Sequence, residues 1–164
     1  MTGWWTLHPS PVGDLLLTAD DALSGVFFTP HKGLDPRERA VAAAEDPAHP
    51  VLRAAADQLD AYFARELRVF DLPVSPVGTD FQRRVWTGLA DIGWGVTESY
   101  GHLAVRLGLP PGASRAVGLA NGANPISIVL PCHRVVGADG SLTGYGGGLE
   151  RKRFLLDLEA DLLF

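Results

Sequence analysis

A single cysteine, Cys132, is present in 164 residues. One thiol excludes an intramolecular disulfide and any multi-cysteine zinc or iron–sulfur site, and makes a reducing, cytoplasmic setting the expected one. No apolar run approaches the roughly 20 residues needed to cross a bilayer. The opening Met1-Thr2-Gly3-Trp4-Trp5 lacks a charged region followed by an apolar signal segment, so no membrane partner is expected. Internal repeats and low-complexity segments are absent. His8, His31, His49, His102 and His133 show no close ligand spacing, and adjacent Cys132 and His133 cannot make a metal site alone. The glycine-rich run Gly144-Tyr145-Gly146-Gly147-Gly148 has neither the lysine nor the hydroxyl of a phosphate loop.

What is present describes a folded chain: 46% hydrophobic residues and a mean hydropathy of +0.10. The length suits one full domain or two small ones. The net charge of −5 is unevenly distributed: residues 1–76 hold 6 basic and 11 acidic side chains, residues 77–164 hold 8 of each. The basic groups of the second part are Arg83-Arg84, Arg106, Arg115, Arg134 and Arg151-Lys152-Arg153. Local potential counts for more than the total where an anionic partner is concerned, although charge alone also fits an ordinary solvated surface.

Trp4 to Leu7, Leu15 to Ala19 and Leu23 to Phe28 read as strands between Pro9-Ser10-Pro11, Gly13-Asp14 and Asp20-Asp21 turns. Pro36 to Ala44 suggests a short helix. Leu52, Ala55, Leu59, Tyr62 and Phe63 recur at helical spacing, and Val69 to Val74 reads as a further strand. Ser75-Pro76-Val77-Gly78 marks a boundary. Beyond it, Thr79 or Asp80 caps a helix with Phe81, Val85 and Leu89 on one face. Ser99 caps a second helix, Gly108-Leu109-Pro110-Pro111-Gly112 turns, and Ala113 to Asn121 is a third, with Gly122 just past its end. The layout of the last two is that of a helix-turn-helix. Asn124-Pro125 leads into an apolar strand ending at Pro131, Asp139-Gly140 is a hairpin-type turn, and a last helix turns Phe154, Leu155, Leu158 and Leu162 inward.

The chemistry concentrates in Pro131-Cys132-His133-Arg134-Val135-Val136, where a thiol, an imidazole and a guanidinium are consecutive. A thiolate is the reactive form of cysteine, and cationic or hydrogen-bonding neighbours lower the thiol pKa. His133 can take the proton, directly or through water. Glu159 on the last helix is a candidate to orient His133 in a nucleophile–base–orienter chain. Tyr145, in the glycine-rich run, suits a stacking or capping ring beside a flat ligand.

This run resembles the active-site motif of the O6-alkylguanine-DNA alkyltransferases, the methylated-DNA–protein-cysteine methyltransferases. Gly78-Thr79-Asp80-Phe81-Gln82, Ser99-Tyr100, Ser114-Arg115-Ala116-Val117-Gly118, Asn121-Gly122-Ala123-Asn124-Pro125 and Tyr145-Gly146-Gly147-Gly148-Leu149 follow the family's order. The resemblance implies an α/β (α+β) fold. A small ribonuclease H-like sheet-plus-helix domain would span 1–76, and a mainly helical domain with a helix-turn-helix, bearing DNA-binding and active-site residues, would span 77–164. It implies direct reversal of damage in double-stranded DNA: irreversible, stoichiometric transfer of an alkyl group from O6-alkylguanine to Cys132, by a monomer that binds singly or cooperatively, with no cofactor. Cys132 would be the acceptor; His133 and Glu159 would deprotonate it. Asn124 would hold the turn between helix-turn-helix and active site. Tyr100 would help rotate the nucleotide and protonate the departing guanine oxygen. Arg115 would enter the duplex, with Ala116 and Gly118 on the helix lying in the minor groove. Val135, Tyr145, Gly146 and Gly147 would line the base pocket.

The chemistry agrees with that implication. Displacement at a saturated carbon needs a strong nucleophile and a protonated leaving group, and a base hidden in a stack must be flipped out. Two stretches depart from the family pattern: Gly93-Trp94-Gly95-Val96, and Ser127 where some relatives have proline in the pocket wall. The zinc cysteines of some relatives are missing. Three other readings remain: a non-catalytic sensor of alkylated bases, which would lack the acceptor cysteine; a helix-turn-helix regulator bound to an operator; and a thiol hydrolase.

Overall fold

The computed structural model describes residues 3–29 and 44–160. The helix expected near Pro36 and the inward Leu162 lie outside these residues. The chain divides into two compact units, Met1–Pro76 and Val77–Phe164.

In the first unit, strands β1 (Trp4–His8), β2 (Leu15–Ala19), β3 (Leu23–Phe28) and β4 (Ala44–Glu45) form a sheet in the order β3-β2-β1-β4. β2 runs antiparallel to both neighbours, with Leu7 opposite Leu16 and Leu17 opposite Val26, while β4 is parallel to β1. As a central strand β2 buries Leu15, Leu16 and Leu17 in succession instead of alternating. Helix α1 (Pro50–Phe63) covers the sheet with buried Leu52, Ala55, Leu59 and Tyr62, the stripe expected from the spacing. Its start is set by Pro50 and by the His49 ring, which accepts from Val51 N–H.

The strand expected over 69–74 does not form. Only Val74 bridges, in parallel to Leu23. Pro73 has no N–H to give a ladder. The Gln58 side chain satisfies both backbone groups of Asp71, at 2.9 and 2.8 Å, which removes that residue's need for a strand partner.

In the second unit, α2 (Asp80–Leu89) opens on a capping box in which Thr79 and Gln82 exchange side-chain bonds with each other's backbone. It buries Val85, Trp86, Gly88 and Leu89, and the Trp86 indole donates to the Ala120 carbonyl at 2.7 Å. Strand β5 (Glu98–Ser99) pairs in parallel with β6 (Val135–Val136). Ser99 caps α3 (Tyr100–Arg106) by accepting from His102 N–H. After a turn at 107–113 comes α4 (Ser114–Gly122), which includes Gly122 and ends on Ala123. Helix α5 (Leu149–Glu159) closes the unit, with Leu155 and Leu158 buried and Phe154 half-buried. The hairpin-type turn at 139–140 is present as a turn, with the Gly140 N–H donating to the Gly137 carbonyl.

The apolar run before Cys132 is not a strand. Residues 127–129 form a turn, with Ile128 in the left-handed region at φ 71° and Leu130 N–H bonded to the Ile126 carbonyl. The side chains are buried as a strand's would be, but the backbone folds back on itself around Asn124.

Candidate active site

Cys132 opens a single 3-10 turn, Cys132–Arg134, immediately before β6. Two asparagines hold this segment. Asn124 Nδ2 donates to the Leu130 carbonyl at 2.8 Å, and its Oδ1 accepts from Ile126 N–H at 3.0 Å. Asn121, on α4, donates to the Cys132 carbonyl at 3.2 Å. The reactive segment is thereby tied to the C-terminal end of α4.

The Cys132 side chain is 4% exposed, and Sγ lies 3.9 Å from the Tyr145 hydroxyl. Burial pushes its thiol above the ordinary value, against side-chain hydrogen bonds from Asn124, Tyr145 and Ser127 and the charge of Lys152, all of which favour the thiolate. The sequence led us to expect a lowered thiol pKa; desolvation outweighs the neighbours.

His133 and Glu159 are brought together. His133 Nε2 donates to Glu159 Oε2 at 2.7 Å, both side chains being buried. Desolvation pushes the His133 pKa down, against Glu159, which raises it. The ring is therefore neutral at neutral pH. With its proton on Nε2, facing the carboxylate, the lone pair lies on Nδ1, which is buried and has no hydrogen-bond partner among the described residues. Burial raises the Glu159 pKa, but hydrogen bonds and charge from His133 and Arg134 outweigh it and hold the carboxyl at about 2. Arg134 donates to both oxygens, at 2.8 and 3.0 Å, and to the Ile92 carbonyl at 2.5 Å. Gly95 contributes a fourth, longer contact of 3.4 Å through its N–H, from a φ of 73° that glycine adopts without strain. Within Gly93-Trp94-Gly95-Val96 it is thus Gly95 that turns a backbone donor toward Glu159.

Lys152 was not singled out by sequence reasoning. It is fully buried on α5, donates to the carbonyls of Val135 at 2.6 Å and Thr143 at 3.1 Å, and lies 5.9 and 6.0 Å from the ring centres of Tyr145 and Tyr100. Burial lowers its pKa and the charge of Cys132 raises it. Its spacing from Leu155 and Glu159, three and seven residues on, is the signal that sets it on the inward stripe of α5. The grouping of basic residues is corrected accordingly. Arg134 and Lys152 are interior, and Arg106 is engaged by Glu98 and Asp91, leaving Arg83, Arg84, Arg115 and Arg153 exposed.

Of the other expected site residues, Tyr100 begins α3 and its hydroxyl accepts from Thr143 Oγ1 at 2.9 Å. The backbone of Gly118 lies against its ring, where an added Cβ would sit 3.6 Å away. Val135 is buried in β6, and its carbonyl serves Lys152. Tyr145, Gly146 and Gly147 lie on the loop before α5, and a Cβ on Gly146 would come within 3.8 Å of the Gly122 carbonyl. Arg115 and Ala116 are exposed on α4, outside the buried cluster.

Comparisons with known proteins follow the same division. Residues 80–161 match the family described as 6-O-methylguanine DNA methyltransferase, DNA binding domain. Residues 4–76 match its ribonuclease-like domain. A methylated-DNA–protein-cysteine methyltransferase of Mycobacterium tuberculosis is 63% identical over 105 residues, which are 64% of this chain and 63% of that protein. The protein of the same name from Methanosarcina acetivorans is 47% identical over 157 residues, 95% of this chain and 97% of that one. Among solved structures, Mycobacterium tuberculosis OGT in complex with DNA superposes with a TM-score of 0.88 at 46% identity, covering 97% of this chain and 94% of that one.

Proposed function

Since the chain belongs to the 6-O-methylguanine DNA methyltransferase family, we propose that it binds double-stranded DNA and moves an alkyl group from O6-alkylguanine onto Cys132. The observation that carries this reading is a buried Cys132 followed directly in the chain by a neutral His133, whose ring is bonded to the ionised Glu159 at 2.7 Å.

A thiol held protonated by burial needs a base at the moment of attack. His133 Nδ1 takes the proton from Sγ, directly or through water, and the imidazolium that forms is stabilised by Glu159. The sulfur lone pair forms the new bond to the saturated carbon as the carbon–O6 bond breaks, its electron pair passing to the guanine. Tyr100 supplies a proton to the departing base, so the proton lost from sulfur is balanced by the one the guanine gains. The thioether has no route back, which makes the reaction stoichiometric. Every side chain in this account comes from residues 100–159 of one copy, which fits a monomer as the reacting unit. A single thiol that must stay reduced fits a reducing compartment. Among the described residues no helix is long and apolar enough to cross a membrane.

The flipped nucleotide leaves a gap that Arg115 suits, since a planar cation stacks and hydrogen-bonds at once. Val135, Tyr145, Gly146 and Gly147 form the wall against which the base rests, with Ala116 and Gly118 allowing close approach of α4 to the groove. A non-catalytic sensor has no use for an acceptor sulfur backed by a base and its orienter.

The test is intact-mass spectrometry after incubation with a duplex bearing O6-methylguanine. A gain of one CH2 unit per chain on the Cys132 peptide, never more, is expected; an unmodified sulfur beside an intact lesion overturns the reading. Arg115→Ala is expected to slow transfer from duplex by roughly 5- to 30-fold, the equivalent of about 1–2 kcal/mol of flipping energy, while reaction with the free base O6-methylguanine is unchanged. Single-turnover rates on the two substrates check it, and equal slowing removes Arg115 from the gap-filling role.

A further inference from the structure

The Tyr100 ring lies beside the backbone of Gly118, and the Lys152 ammonium stands 6.0 Å from its centre. Its hydroxyl hydrogen turns on a torsion of its own. Thr143 acts on that torsion. Its Oγ1–H donates to the Tyr100 oxygen at 2.9 Å, so the phenolic hydrogen cannot point toward Thr143 and is directed away from it. A hydroxyl that accepts a hydrogen bond is also a stronger donor through its own hydrogen, because the two bonds polarise each other. Thr143 is in turn held by its backbone: its carbonyl accepts from Lys152 Nζ at 3.1 Å, and the same ammonium grips the Val135 carbonyl at 2.6 Å. Lys152 thus fixes the loop that carries Thr143 to β6, the strand that follows the reactive turn.

We propose that Thr143 is a positioning residue for the alkyl transfer: it aims the Tyr100 hydroxyl and strengthens it as the acid that protonates the departing guanine. This rests on the reading of Tyr100 given above. Thr143 keeps its own proton throughout. Tyr100 gives up the proton that the guanine acquires, the Thr143 hydroxyl and Lys152 steady the resulting phenolate, and solvent returns the equivalent of the proton His133 removed from sulfur.

The experiment compares Thr143→Val, which keeps the shape and removes the hydroxyl, with Thr143→Ser, which restores it. Two reactions of Cys132 are followed in each: single-turnover methyl transfer from an O6-methylguanine duplex, and alkylation by iodoacetamide, whose leaving iodide needs no proton. Thr143→Val is expected to slow methyl transfer about threefold to tenfold, on the scale of one hydrogen bond, and to leave the iodoacetamide rate unchanged. Thr143→Ser is expected to recover methyl transfer. In a Tyr100→Phe background, Thr143→Val is expected to add no further loss. Slowing of both reactions, failure of serine to rescue, an undiminished effect without the Tyr100 hydroxyl, or no effect at all overturns the assignment. If the unaltered protein transfers no methyl group, it is the functional reading that fails; if it transfers normally and Thr143→Val does too, Thr143 alone is dismissed.

Discussion

Cys132→Ala takes up no alkyl group and leaves the lesion in the DNA, while its affinity for duplex stays within about threefold of the unaltered chain, less than the tenfold that 1.4 kcal/mol represents. The two halves of this outcome have separate physical origins. Sγ is buried on a 3-10 turn and contributes nothing to the exposed face of α4, so its removal leaves the surface proposed to meet DNA as it was. Deleting one buried atom costs about 1 kcal/mol of stability, too little to unfold a domain. No second thiol can substitute, since the chain has none. Transfer of a radiolabelled methyl group, read alongside fluorescence anisotropy with a labelled duplex, checks both halves. Label retained on the alanine protein would mean that another atom is the acceptor.

Glu159→Gln has two large effects, because Glu159 serves two neighbours. His133 loses the carboxylate charge that favours its proton on Nε2 and steadies the imidazolium, and the transfer rate falls by roughly 10²- to 10⁴-fold, the range of a positioned general base. Arg134 is left as a buried guanidinium without a counter-charge, which costs about 3–5 kcal/mol of stability. The pH dependence separates the second effect from ordinary packing loss. The Glu159 carboxyl lies at about 2 in the folded chain, below its ordinary 4.5. A carboxyl lowered by folding adds stability that is complete above its unfolded pKa and disappears as pH falls through the folded one. The unaltered protein therefore loses this share between about pH 5 and 2, and the glutamine protein has none to lose. Urea-denaturation midpoints across that range are expected to converge as the pH drops. Parallel curves would show that the carboxylate charge is not what stabilises the cluster.

The elements that sequence periodicity reaches are those whose register is local. β2 and β3 begin and end where the apolar runs do, and α1 buries four of the five residues its three-and-four spacing selects, Phe63 being half-buried. The pairing of His133 with Glu159 beside Cys132 was also legible, because a consecutive thiol and imidazole are rare and the family's motifs fix their order. What escaped was set by tertiary neighbours. Residues 126–130 are apolar enough for a strand, yet Asn124 and the left-handed Ile128 fold the run into a turn, and periodicity cannot tell a buried turn from a buried strand. Arg134 and Lys152 looked like part of a basic surface. Each is interior because a partner distant in sequence accepts its hydrogens: Glu159 for the first, the carbonyls of Val135 and Thr143 for the second. The thiol pKa went the other way from expectation for the same reason, since the extent of burial around a side chain is a property of the packed unit and not of its neighbours in the chain.

Helix α4 is two-sided in its obligations. Its outward positions include Arg115, Ala116 and Leu119, whose side chains are exposed, whereas Ala120 and Asn121 are committed to Trp86 and to the Cys132 carbonyl. Re-engineering can exploit that partition. A library restricted to those three exposed positions would explore new binding surfaces while inheriting an untouched Cys132 segment, and selections that stray inward would disturb the bonds that hold that segment.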